Sequence, residues 1–217
     1  LGLLSSETVF SEAERRQALK DFVYERPQSY RDIAPLLRTL FETDAYIDTL
    51  GEIETRLQQE PQLRADILFD LAYLYEATFN DQAKALGLYI QGVELSPRLD
   101  QQMKVAELSY ELGYFARTVE ISRVILPQLD ESSSVGIRLA KMAFESALEL
   151  QEERDIERVG DYLLKSRIMT LEAFDAWMTY RTPSWLSGRL SLCIAWMNAL
   201  EADEALRAIL VARGSIS

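Results

Sequence analysis

Two carboxylate pairs, Glu152–Glu153 and Asp203–Glu204, are the residues whose type and spacing could support chemistry. Adjacent acids divide general-acid and general-base work when an apolar setting raises one pKa and leaves the other low. Both pairs stand instead in charge-rich stretches, QEERDIER and LEADEALR, which read as solvated helix starts. The chain contains no histidine, so it lacks the commonest general base and metal ligand and every triad built on imidazole. A carboxylate di-metal site of the Glu-x-x-His kind is excluded on the same ground. Cys193, the one cysteine, can form neither an internal disulfide nor a zinc site. Within LSLCIAWM it reads as a buried, inert thiol. There is no phosphate-cradling glycine loop and no nucleophile elbow. The expectation is a non-enzyme with no catalytic residue, metal or cofactor.

Charge and composition narrow the partners. The 35 acidic residues against 23 basic ones give a net charge of −12, a field that repels phosphate backbones and argues against nucleic acid. The longest apolar run, around Leu190–Leu200, is about half the ~20 residues a membrane helix needs. With 48% hydrophobic and 10% aromatic residues the chain has ample material for a core, unlike a disordered one. The opening LGLLSS lacks an initiator Met and does not read as a signal peptide, so a piece of a longer protein is expected.

The elements that must position any site are helical. Nine Gly and six Pro are few for 217 residues, and no sustained alternating strand pattern occurs. Ser11 with Glu14 forms a capping box for a helix to about Tyr24, stopping before Pro27. Further helices are expected near 30–41, with Pro35 in its first turns, near 45–59, ending at Pro61, and near 63–78. Asp81 then N-caps a helix to about Leu95. Pairs follow near 99–112 and 115–126, then 133–150 and 154–166. Helices near 170–180, 184–200 and 202–212 complete the chain.

An internal period organises these pairs. The segments LAYL, VAEL and LAKM begin at Leu71, Val105 and Leu139, each 34 residues after the last. Ala72, Ala106 and Ala140 thus hold one position of a recurring helix, where a small residue lets a neighbour approach closely. Ala85, Gly87 and Gly92, set among aromatics in the next helix, are expected to serve the same purpose.

This pattern resembles the tetratricopeptide repeat, a 34-residue helix–turn–helix unit whose copies stack into a superhelix. Leu68, Leu71, Ala72 and Tyr75 match the first helix of the motif, and Ala85, Tyr89 and Pro97 match the second after one extra turn residue. The next copy keeps Val105, Ala106, Gly113 and Phe115, with Thr118 for the usual Ala. The third keeps Leu139 and Ala140 while its second helix departs. None carries the frequent first-helix Trp. The resemblance implies an all-α chain, an α-solenoid of antiparallel helix pairs. One domain is expected over 1–217, with degenerate helices at 1–62, clear repeats at 63–166 and degenerate repeats at 167–217. An ordinary helical bundle with a coincidental period is the alternative.

The resemblance also implies a site. First helices of such repeats line a groove, which carried over residue by residue gives Asp66, Phe69, Asp70, Tyr73 and Glu76. The second copy gives Asp100, Met103, Lys104, Glu107 and Tyr110, and the third Ser134, Ile137, Arg138 and Lys141. The charge passes from acidic to basic along this stripe and suits a peptide with basic residues followed by acidic ones. Phe69, Met103 and Ile137 share one position and suggest a ligand-facing apolar track. The implied function is a scaffold for a protein or peptide partner, with a glycan ligand also open. The chain is similar as well to the periplasmic repeat regions of bacterial exopolysaccharide-export outer-membrane proteins, which favours a periplasmic setting and leaves a cytoplasmic one open. Two other readings stay open: a helical enzyme domain using a carboxylate pair, and a module that dimerises through the end carrying Trp177, Trp185 and Trp196.

Overall fold

The structure, a computed structural model, describes residues 11–179 and Cys193. Among the described residues it is all-helical, with ten α-helices, two 3-10 turns and no strand. No described helix is long and apolar enough to cross a membrane. The expected helices near 184–200 and 202–212, with Trp185 and Trp196, lie outside the described residues, apart from the helical, buried Cys193. The chain divides into two compact units, Leu1–Val105 and Ala106–Ser217.

In the first unit, α1 (Glu12–Glu25) opens on the expected capping box. Ser11 Oγ accepts from the Glu14 N–H at 3.3 Å and Glu14 Oε2 accepts from the Ser11 N–H at 2.7 Å, so two orphan helix-end donors are satisfied at once. After a 3-10 turn at Pro27–Ser29 come α2 (Tyr30–Leu40) and α3 (Thr43–Arg56). Pro35 lies in the second turn of α2, where it removes the N–H that would meet the Arg31 carbonyl. The third helix ends at Arg56, short of the expected Gln59, because Leu57 and Glu60 bond back into a tight turn before Pro61. Pro61 opens α4 (Pro61–Ala77) at a position whose N–H needs no partner. Asp81 caps α5 (Gln82–Leu95), accepting from the Lys84 N–H at 3.0 Å. The core gathers Leu19, Val23, Leu37, Leu50, Ile53 and Ile67, all fully buried, around the aromatic pair Tyr30 and Tyr46.

The α4–α5 pair is antiparallel, since contacts advance along one helix as they retreat along the other. Tyr75 near the end of α4 meets Lys84 near the start of α5, while Phe69 further back meets Gly92 further on. Ala72 and Ala85 are fully buried, and a Cβ added at Gly92 would overlap the Phe69 ring. Gly87 departs from expectation. A Cβ there would meet nothing, so it is no contact point.

Helix α6 (Leu99–Glu111) runs from the first unit into the second. In the second unit, Gly113 takes a left-handed φ of +78° before α7 (Phe115–Ile125), and Pro127 sits in the 3-10 turn that follows. Ser133 caps α8 (Ser134–Leu150), then come α9 (Glu153–Lys165) and α10 (Leu171–Thr179). Ala106 and Ala140 are fully buried like Ala72. Trp177 is also fully buried, packed edge-on to Phe174 and against Gly160, where a Cβ would overlap its indole.

Candidate functional site

The acids at the stripe positions of α4 meet bases supplied from neighbouring segments. Asp66 accepts from both Nη2 of Arg31, at 2.9 Å, and Arg98. Asp70 pairs with Arg38, and Glu76 stands 2.6 Å from Lys104 Nζ. In the second unit Arg138 Nη2 lies 2.9 Å from Glu107 Oε1, an ion pair short of hydrogen-bond alignment. Tyr110 donates to Glu145. These contacts correct the picture of a graded charge track. Asp66, Asp70, Lys104, Glu107 and Arg138 each meet an opposite charge, and the pairs tie alternate helices, α2 to α4, α4 to α6 and α6 to the segment carrying Arg138.

The apolar track also needs correction. Phe69 and Met103 are 6% and 3% exposed, and Ile137 is half-buried. Phe69 is held by Tyr89, stacked at 6.4 Å between centroids, and by the glycine opposite. Burial of these rings serves packing. Of the stripe, Tyr73 at 48% stays accessible, together with Asp100, Ser134, Lys141 and the ion-paired Arg138.

Behind Asp70 lies a buried polar cluster that the stripe did not reveal. Tyr30 donates to Asp70 Oδ2 at 2.8 Å, and its hydroxyl lies 3.5 Å from that of Tyr46. Burial first, then the neighbouring Tyr46 and Asp70 charges, push the Tyr30 hydroxyl well above its usual range. Burial takes Tyr46 to about 12. Both stay protonated and can donate at any physiological pH. Arg31, Arg38 and Arg98 were likewise invisible as partners. Their one signal was spacing, two arginines seven apart on α2 answering two acids four apart on α4.

Around Tyr73 the first unit opens into a polar cleft of about 440 Å³. Glu76 and Tyr89 line it with Tyr73, as do Asp100, Gln101 and Lys104 from the start of α6. Gln101 Nε2 donates to Asp100 Oδ2 at 3.0 Å, while Gln101 Oε1 is buried without a hydrogen-bond partner. The Tyr89 hydroxyl donates to Glu76 at 3.4 Å, and burial, with the Glu76 charge behind it, raises its pKa. The second unit has a more apolar cleft of about 470 Å³, with Phe144, Leu148 and Met169 in its lining and Lys141 among its charges.

The carboxylate pair at the head of α9 is structural. Glu152 is the N-cap and accepts from Arg123 Nη2 at 2.7 Å, while Glu153 is the first helical residue. Two residues on, Asp155 is 5% exposed and held by Arg123 and Arg158. Burial pushes its carboxyl up, but the hydrogen bonds from the two arginines outweigh that and hold its pKa below the usual carboxylate value. Among the described residues no three His, Cys, Asp or Glu side chains group to hold a metal ion. Asp203–Glu204 lies outside the described residues. No family model, curated protein or solved structure matches the chain.

Proposed function

We propose that this chain is a non-enzymatic scaffold of the tetratricopeptide-like kind, recruiting a protein or peptide partner to the face built by the first helices of its pairs. The observation that carries the reading is the full burial of Ala72, Ala106 and Ala140, one 34-residue period apart. A stack of like units requires such a small residue at each return, whereas a bundle does not. The antiparallel α4–α5 pair and the ion pairs between α2 and α4 support the same reading. The resemblance extends the proposal, by itself, to a bacterial envelope polysaccharide-export complex.

Capture from a native lysate tests it. The baits are wild type and a Tyr73→Ser/Asp100→Asn variant of the first unit with unchanged circular dichroism and melting temperature. Both positions are exposed, and the substitutions leave the Asp66, Asp70 and Glu76 ion pairs their own charges. A protein recovered by wild type and lost by the variant is the expected result. Equal recovery by both removes this face as the site, and no recovery by either overturns the scaffold.

A further inference from the structure

We propose that the cleft beside Tyr73 is a receptor for the guanidinium group of an arginine carried by a peptide partner. This deepens the scaffold reading and rests on it.

Helix α4 already holds a guanidinium twice by one recipe, an acid followed three residues later by an aromatic ring. Residues at that spacing are neighbours on a helix surface. Arg98 pairs with Asp66 while its Cζ lies 5.1 Å from the centre of the Phe69 ring. Arg38 pairs with Asp70 while its Cζ lies 4.9 Å from the centre of Tyr73. Charge attraction and cation–π contact act together in both. Even with Arg38 over it, Tyr73 remains 48% exposed and faces the cleft of about 440 Å³.

Beside the Tyr73 ring the cleft supplies a further acid, Asp100. Asp100 is exposed, and among the described residues its carboxylate accepts from the adjacent Gln101 amide. The Oε1 end of Gln101 is buried, out of a ligand's reach. The exposed Asp100 carboxylate is an acceptor the cleft does offer, and a ligand that only donates suits it. Guanidinium has five donors and no acceptor. Among the described residues Lys104 is the cation in the lining, and Glu76 already engages it. The chain's net charge of −12 draws a cationic segment toward the site. A planar head also stacks on Tyr73, which the compact ammonium of lysine does not do as well.

The test titrates the 217-residue chain with a blocked Gly-Ser-Arg-Ser-Gly peptide at low salt, read by amide chemical shifts. Versions with lysine, and with citrulline as the neutral isostere, serve as controls. The expected result is shifts at Tyr73, Gln101 and Lys104, with about tenfold weaker binding of citrulline. Asp100→Asn and Tyr73→Leu should each weaken the arginine peptide several-fold, while Tyr73→Phe, which keeps the ring, should not. Melting temperatures of the variants show that they fold. Equal binding of citrulline or lysine, shifts elsewhere, or no shift overturns the assignment. A chain that captures a partner yet ignores the arginine peptide loses this inference alone. One that binds the peptide in the cleft but captures nothing loses the scaffold reading instead.

Discussion

In the α4–α5 hairpin the bulk stands on the first helix, where Phe69 fills the space left by Gly92 on the second. In the α8–α9 hairpin the placement is reversed, and Tyr162 of the second helix lies over Gly136 of the first. The ion pairs are reversed in emphasis too. In the first unit the most shielded acids, Asp66 and Asp70, belong to a first helix and are held by arginines from α2 and from the start of the α6 segment. In the second unit the most shielded acid, Asp155, belongs to a second helix and is held by Arg123 of α7 and Arg158 of α9 itself. The difference teaches that a close approach of two helices is made by setting a glycine against a ring, beside a polar tie. Either helix of a hairpin can supply each.

The strongest test of that contrast is Asp155→Ala. Removing a buried partner leaves two arginines facing a void, and although both reach solvent the expected loss is about 3 kcal/mol. The first turn of α9 also loses a favourable acid. Denaturant unfolding of wild type and variant checks the size. The pH dependence checks the cause. Because the folded pKa of Asp155 lies below its unfolded value, its contribution is complete above about pH 4 and fades as pH falls through the folded pKa. The melting-temperature gap between wild type and Asp155→Asn should therefore be constant near neutrality and close in acid. A gap that persists at pH 2 would mean that Asp155 acts by shape alone.

Next come the two glycines that receive the bulk. Gly92→Ala drives a methyl into the buried ring of Phe69, with a net loss of about 1–2 kcal/mol after the gain in helix propensity. Gly136→Ala meets the hydroxyl end of Tyr162, which donates to the Asp130 carbonyl at 2.9 Å, with Leu129 Cβ at ordinary contact distance. Moving it aside costs about one hydrogen bond, roughly the propensity gained, so near-neutrality is expected. Adding Phe69→Leu should recover much of the Gly92→Ala loss and none of the Gly136→Ala effect. Additive losses in the first double variant would show that Phe69 and Gly92 are not coupled, and the comparison of the two hairpins would fail.

Much of this architecture was legible in local chemistry. Ser11, Asp81 and Ser133 cap the helices they were expected to cap or open, because a capping side chain acts on its own next turn. The 34-residue alanines are buried, and so is Cys193. The site was less legible, for a physical reason. A stripe of Asp66, Asp70 and Glu107 reads the same whether water or an arginine from another helix completes it. The partner of Asp70, Arg38, is 32 residues away and belongs to a helix with only weak repeat signals. The position of Phe69 and Met103 faces the groove in the resembling family and so suggests a ligand track. Here each is 6% exposed or less, and stripe position alone does not reveal what stands opposite.

Gly87 turns that lesson into the finest test. It lies in the same helix as Gly92, five residues away, and in sequence both read as places where helices touch. The structure separates them, since a Cβ at Gly87 meets no atom within 4 Å. A helical glycine with no neighbour to accommodate only costs backbone entropy, so Gly87→Ala should stabilise the chain by about 0.5–1 kcal/mol. The gain should appear as a higher denaturation midpoint with an unchanged slope. Opposite signs at Gly87 and Gly92 would establish that contact, not composition, decides which small residues the period requires. A loss at Gly87 would mean that another helix or a partner approaches α5 there in solution, and the surface assigned to this unit would have to include that face.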